Sequence, residues 1–335
     1  MRSVTSTESG APAKAMLRFH RRWTTRLWVW LMAAAVVLLL FYGLVGYWGC
    51  ADMFGDHPRW RGMDRGPVDF GLRAETVSFN SQDGIALRAW WLPAVDTPRG
   101  TVIIAHGIDH TRQVMLPRAA FLVGGGWNVL TPDLRGHGES GGLMVSPGLL
   151  EMRDILGGVR YIRLRQENGP IAVLGLSYGA AAALLASAGC PEIAAVVSDG
   201  AFTSGKDVME DIGRHYVHDT KAKLWLRTLF LAVSCPGVAR SIELTYYLRS
   251  GIDLGPDLLS VIQYAARIRI PVLLISGERD WIVPTERARQ ILSAILSHQK
   301  ELVIIPNAVH DTTFSTAPTL YANAVLKFLN TYVQK

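Results

Sequence analysis

The 335-residue chain has only three cysteines, Cys50, Cys190 and Cys235, an odd and scattered set. That excludes a disulfide framework, and the lack of any CxxC pair excludes the usual spacing of zinc or dithiol redox sites. A single Cys190–Cys235 bridge fits an oxidising compartment, but separate thiols are the simpler expectation. Charge is scarce too: 19% of residues are charged against 49% apolar, which suits a large core and not a disordered chain. No internal repeat or low-complexity segment is evident. The net charge of +6 is lopsided. Arg2, Lys14, Arg18, Arg21, Arg22 and Arg26 face one acid, Glu8, in the first 26 residues, so the rest of the chain carries about +1. A nearly neutral body excludes a basic nucleic-acid face, and no nucleic-acid partner is expected.

From Leu27 to Cys50 there is no charged residue at all. About 20 apolar residues suffice to cross the hydrocarbon core, so 27–49 reads as one transmembrane helix after a basic tail, 1–26. Trp28 and Trp30 mark one end and Tyr47 and Trp48 the other, where amphipathic rings favour the interfaces. Arg18, Arg21, Arg22 and Arg26 precede the span, whereas the acids Asp52, Asp56 and Asp64 balance Arg59, Arg61 and Arg65 beyond it. The positive-inside bias then puts the N-terminus in the cytoplasm and everything after residue 50 outside. A cleaved signal peptide is the main rival, but its apolar region is usually shorter and no A-x-A-like site follows. A lipoprotein signal at Cys50 is disfavoured by the bulky Tyr47-Trp48-Gly49 before it.

Residues 50–74 read as a linker, and 75–335 as one domain. Two β-like stretches, Glu75–Asn80 and Gly84–Leu92, flank Asp83-Gly84, a hairpin turn signal. Six short apolar runs follow: Thr101–Ala105, Trp127–Thr131, Ile171–Gly175, Ile193–Ser198, Val272–Ser276 and Leu302–Ile305. Continuous apolar strands are those covered on both faces. Helical stretches near 113–123, 147–166, 178–188, 285–297 and 315–332 separate them, which predicts an α/β fold with a mostly parallel, doubly wound sheet. The interval of about 203–269 lacks a core strand. Its apolar stretch Leu224–Val233 and the run Tyr246–Leu248 suggest a helical cap or lid inserted into the domain.

The chemistry centres on Gly175-Leu176-Ser177-Tyr178-Gly179, a G-x-S-x-G between an apolar strand and the helix-prone Ala180–Ala186. A sharp strand-to-helix turn with small neighbours lifts the Ser177 hydroxyl above the sheet, and the helix N-terminus adds a positive dipole. A serine hydroxyl needs a base, and the base an orienting acid. Of the histidines downstream, His310 alone follows the last strand on the edge where Ser177 emerges. His298 sits on the opposite edge, and His215 with His218, spaced i, i+3 without a third ligand, reads as a solvated helix face. Asp280, just past Val272–Ser276 and before Pro284, is the acid expected on position, with Asp199 as its rival. The order Ser177, Asp280, His310 is that of strand–turn–helix hydrolases. Two N–H donors for an oxyanion are expected from the amides of Tyr178 and Ile108, the latter in His106-Gly107-Ile108-Asp109. His106 precedes the serine and reads as a support for that loop.

With these motifs the chain resembles the α/β-hydrolase superfamily over about 75–333. Asp133-Leu134-Arg135-Gly136-His137-Gly138-Glu139-Ser140 resembles the D-x-R-G-x-G-x-S loop of serine aminopeptidase S33-like and Bem46-like hydrolases, several of which carry one N-terminal anchor. The resemblance implies a Ser-His-Asp esterase, thioesterase or amidase without metal or organic cofactor, acting on a small-molecule or lipid acyl substrate. An acyltransferase with the same triad, or a silent binding module on the same fold, are the alternatives.

Overall fold

A computed structural model describes the backbone of residues 11–55, 64–218, 224–255 and 257–333, and within these all side chains but those of 11–25, 52–53 and 217–235. The apolar side chains of Leu224–Val233, the His218 ring and Cys235 therefore lie outside the described residues. Cys50 is buried and Cys190 half-buried, and no disulfide joins them.

Eight strands form one sheet: β1 (Glu75–Asn80), β2 (Ala86–Leu92), β3 (Thr101–Ala105), β4 (Asn128–Pro132), β5 (Ile171–Leu176), β6 (Ile193–Asp199), β7 (Val272–Gly277) and β8 (Lys300–Ile305). All eight match the expected strands. Among the described residues, ten α-helices accompany them: α1 (Ala11–Phe54), α2 (Leu116–Gly124), α3 (Glu151–Leu164), α4 (Tyr178–Ser187), α5 (Gly205–His218), α6 (Leu224–Ser250), α7 (Val261–Ala265), α8 (Thr285–Ala294), α9 (Thr313–Thr316) and α10 (Pro318–Tyr332). The sheet order is β1-β2-β4-β3-β5-β6-β7-β8, and only β2 runs against the rest. β1 and β2 form the expected hairpin, with Gly84 at φ +89° in its turn.

The sheet separates two apolar layers. Ile103, Val173 and Val196 pack with α3 and α4 residues such as Ile155, Val159, Ala183 and Leu184. Val102, Ile104, Leu174 and Val197 pack with Leu122 of α2 and Tyr321, Val325 and Phe328 of α10. This alternation is the two-sided burial that makes the strands apolar throughout. The chain runs from β3 outward to β4, then crosses back to β5. Strand order therefore reverses at the carboxyl ends of β3 and β5, where open α/β sheets bind ligands.

The N-terminal helix departs from the expected layout. It begins at Ala11, inside the expected tail, and continues past residue 49 to Phe54. Nothing in Gly49-Cys50-Ala51-Asp52-Met53-Phe54 breaks a helix, and its last turns have a partner. Cys50 and Phe54, 1% and 2% exposed, join the core, with the Phe54 ring edge-on to Tyr246 of α6 at 5.3 Å. A Cβ on Gly46 would lie 2.6 Å from the Ser241 carbonyl oxygen, and one on Gly237 would lie 2.6 Å from the Tyr42 ring. The two helices thus meet along a close, small-residue seam where the expected linker should begin. Arg26–Ala51 is long and apolar enough to cross a membrane, and its side chains up to Phe41 are exposed.

Candidate active site

Ser177 follows the last residue of β5 and precedes the first of α4, at φ +51°, ψ −111°. Such a backbone costs a non-glycine residue about 1–3 kcal/mol and persists only where neighbours impose it. Gly175 and Gly179 are those neighbours: a Cβ on Gly175 would lie 2.2 Å from the Gly179 carbonyl oxygen, and one on Gly179 would lie 2.5 Å from the Ala105 and His106 carbonyl oxygens. The turn is further fixed by the Ser177 N–H, which donates to the Asp199 carbonyl at 2.7 Å.

The structure brings Ser177, His310 and Asp280 together. Ser177 Oγ lies 2.7 Å from His310 Nε2, and His310 Nδ1 lies 2.7 Å from Asp280 Oδ2. A carboxylate accepts only, so Nδ1 carries the proton and Nε2 faces the hydroxyl as an acceptor. The other oxygen of Asp280 accepts the N–H groups of Ile282 at 3.0 Å and Val283 at 2.8 Å, which fixes the carboxylate plane. Burial is the largest influence on His310 and disfavours its cation. The Asp280 hydrogen bond and the negative charges of Asp311, Asp280 and Asp199 outweigh it and raise the pKa above the ordinary histidine value.

Tyr178 directly follows the serine, and Ile108 stands in the turn after β3. Tyr178 opens α4, where the first amides have no acceptor within the helix. Ile108 lies in a turn closed by the His110 N–H on the Gly107 carbonyl at 3.3 Å, with Asp109 left-handed at φ +56°. A Cβ on Gly107 would lie 3.6 Å from the Ser177 Cβ, so this turn rests against the nucleophile loop. Two histidines hold it. The Asp109 N–H donates to His137 Nε2 at 3.2 Å, and His106 Nε2 accepts the Leu134 N–H at 2.9 Å, with its Nδ1 2.7 Å from the Gly107 carbonyl. Burial foremost, with the repulsion that a second positive charge beside the His137 ring would meet, holds His106 well below the usual histidine range and keeps it neutral.

The loop after β4 buttresses this turn. Asp133 is fully buried and accepts the Arg112 amide at 2.8 Å, Arg112 Nη1 at 2.6 Å and the Glu139 amide at 2.9 Å. Ser140 Oγ donates to the Asp133 carbonyl at 2.7 Å. Arg135 links Asp154 of α3 to Asp83 of the β1–β2 turn. A Cβ on Gly138, at φ +51°, would collide with the Asp133 carboxylate at 2.1 Å, which is why that position is glycine.

The side chains of the remaining candidates point away from the serine–histidine pair or lie elsewhere in the fold. The Asp199 carboxylate faces Arg118 and Thr313, not His310 Nδ1. His298 is exposed just before β8, on the opposite edge of the sheet from Ser177. His215 is more than a solvated ring: it stacks on Trp281 with centroids 4.2 Å apart, joining the cap to the residue after Asp280. Among the described residues, no three metal-ligating side chains converge. The contacts of Arg118 and Thr313 with Asp199 were not foreseen, because neither residue carries a local motif and each lies more than 80 positions from Asp199.

The family model for serine aminopeptidase, S33, matches residues 96–237 and 252–316. Among curated proteins, YqkD of Bacillus subtilis is 29% identical over 252 residues, covering 74% of this chain and 76% of its own. YfhR of Escherichia coli K12 is 27% identical over 251 residues, 72% and 75% of the respective chains. Among solved structures, the Pyrococcus furiosus esterase Pf2001 superimposes with a TM-score of 0.65 at 26% identity, over 83% of this chain and all of that one. With the eight-stranded sheet and a serine on the sharp turn after β5, the match over most of the chain leaves one assignment: it belongs to the serine aminopeptidase S33 family of α/β-hydrolases.

Proposed function

We propose that this hydrolase cleaves a carboxylic ester, thioester or amide through Ser177, His310 and Asp280. The observation that carries the reading is the pair of 2.7 Å contacts linking hydroxyl, imidazole and carboxylate. As Ser177 Oγ forms its bond to the acyl carbon, His310 Nε2 takes the hydroxyl proton, and Asp280 stabilises the imidazolium through Nδ1. The carbonyl oxygen becomes an oxyanion facing the amides of Tyr178 and Ile108, each donor of this kind contributing roughly 10²–10³ in rate. The carbon-to-leaving-group bond then breaks, and His310 returns the proton to the departing oxygen, sulfur or nitrogen. Water, deprotonated by the same imidazole, attacks the acyl-enzyme and restores Ser177 with release of the acid.

The apolar helix is read as an uncleaved anchor with its basic end in the cytoplasm and the hydrolase domain outside, which suits small-molecule or lipidic acyl substrates. Its seam with α6 supports retention, since cleavage after the apolar run would remove Tyr42, Gly46 and Gly49, which pack against Gly237, Ser241 and Ile242. A fluorophosphonate probe should label the full-length chain and spare Ser177→Ala; equal labelling of both would overturn the catalytic reading. Alkaline extraction should leave the full-length chain in the membrane, and its release would overturn the anchor.

A further inference from the structure

β6 and β7 each end in an aspartate-bearing segment near His310, and the two acids are engaged differently. Asp199, the last residue of β6, is 1% exposed. Its main-chain carbonyl holds the Ser177 N–H at 2.7 Å. Its carboxylate accepts the Thr313 hydroxyl, with Oγ1 at 2.9 Å from Oδ1 and 2.7 Å from Oδ2, and Arg118 Nη2 of α2 at 3.0 Å. Arg118 in turn reaches the Tyr321 hydroxyl of α10 from Nε at 3.2 Å. Arg118, Thr313 and Tyr321 are all buried. Thr313 stands three residues after His310 and opens α9. The next residue after Asp199 closes the arrangement: a Cβ on Gly200, at φ +74°, would lie 3.4 Å from His310 Cε1 and 4.0 Å from the Ser177 nitrogen.

One residue therefore touches both halves of the site, the turn carrying the hydroxyl through its main chain and the loop carrying the imidazole through its side chain. A buried ion pair adds little net stability over packed apolar residues of similar volume, so the Arg118–Asp199 pair is poorly explained as a stabiliser alone. As a fixed point it has a clear use, because a displacement of about 1 Å between reacting groups costs up to about 10² in rate.

We propose that Asp199 and Thr313 are positioning residues, which set the Ser177–His310 distance by tying the His310 loop to the strand that holds the nucleophile turn, with Arg118 clamping Asp199 in place. This rests on the catalytic reading of Ser177 and His310. Neither residue touches the reacting atoms. The charged and titratable groups around the imidazole are Asp280 from the loop after β7, Asp311 on its own loop, Asp199 from β6, and, behind Asp199, Arg118 of α2 and Tyr321 of α10. The negative charge of Asp199 favours the imidazolium.

The test uses the full-length protein with Thr313→Val, which keeps the shape and removes the hydroxyl, Thr313→Ala as a second loss variant, and Thr313→Ser, which restores the donor. Rates on a p-nitrophenyl ester are normalised to the fraction of serine titrated by a fluorophosphonate. Thr313→Val and Thr313→Ala should lower kcat roughly 10- to 100-fold with KM within about twofold of wild type, and Thr313→Ser should recover to within about threefold. Asp199→Asn should move the rising limb of kcat/KM to lower pH, since it removes a charge that favours the imidazolium. Unchanged kcat in both loss variants, or no recovery with serine at wild-type thermal stability, overturns the proposal. Labelling of wild type but not Ser177→Ala keeps the catalytic reading standing whichever way the Thr313 series falls.

Discussion

Asp280→Asn perturbs a single atom, and its outcome can be worked from the geometry around that carboxylate. Oδ1 accepts two backbone amides, those of Ile282 and Val283, while Oδ2 accepts the proton on His310 Nδ1. Asparagine must place its carbonyl on one side and its NH₂ on the other. Facing the NH₂ toward the two amides would strand two buried donors at about 1–3 kcal/mol each. Facing it toward His310 strands none once the imidazole changes tautomer, because Nδ1 then accepts and Nε2 carries the hydrogen. The second arrangement wins, and it turns a donor toward the Ser177 hydroxyl, so the base is lost although every atom stays in place. Fixing the wrong tautomer in a Ser-His-Asp arrangement costs about 10⁴ in kcat, roughly 5 kcal/mol of barrier. The assay is steady-state hydrolysis of a p-nitrophenyl ester at pH 8, with thermal unfolding as the control for fold. A loss below about tenfold in a folded variant would refute the assignment of Asp280 as the orienting acid, and with it the tautomer argument.

Because the folded environment raises the His310 pKa, kcat/KM should climb with pH through a midpoint above the ordinary value of about 6.5; a midpoint at or below 6.5 contradicts it. The same shift means that protonated His310 contributes stability that is fully present below pH 6.5 and fades as pH rises through the folded-state pKa, so His310→Gln should lower the melting temperature more at pH 5.5 than at pH 9. Gly179→Ala should abolish probe labelling, since its methyl would meet two carbonyl oxygens at 2.5 Å and push the Ser177 turn off β3. Gly138→Ala should cost at least about 2 kcal/mol by denaturant midpoint, from overpacking against buried Asp133 and a left-handed backbone. Gly46→Leu, at the seam with α6, should cost about 1–3 kcal/mol in the full-length protein, whereas Gly43→Leu, with open space around its Cβ, should be near neutral.

Much of this molecule was legible because its signals are local. The central strands β3 to β7 are short apolar runs that need cover on both faces, and the strand-to-helix turn at Ser177 is written in two glycines whose Cβ atoms would collide. His310 and Asp280 followed from where a strand must end. Contacts that depend on chain segments meeting from afar were not legible. Nothing near Arg118 points to Asp199, and nothing near Trp281 points to His215, 66 residues earlier in the cap. The continuation of α1 past the expected span to Phe54 was not legible for a related reason. Apolar periodicity cannot distinguish a helix that leaves the bilayer from one that continues into a core, and the deciding residue, Tyr246, lies nearly 200 positions downstream of Phe54.

The two acids near His310 show why position in the fold predicts role better than distance from the serine in sequence. Asp280 stands in a loop, so two amides can occupy one oxygen and leave the other bare for the imidazole. Asp199 ends a central strand, where its main chain is already committed to the next strand and to Ser177, and its carboxylate points toward α2 and α10. The Asp199 carboxylate is turned to the Arg118 guanidinium and the Thr313 hydroxyl, whereas the Nδ1 hydrogen bond of His310 goes to Asp280. The different use of each acid's hydrogen-bonding capacity supports Asp280 over Asp199 as the proposed orienting acid. Exchanging their roles would require rebuilding the loop after β7 and freeing Asp199 from Arg118, which no single substitution achieves.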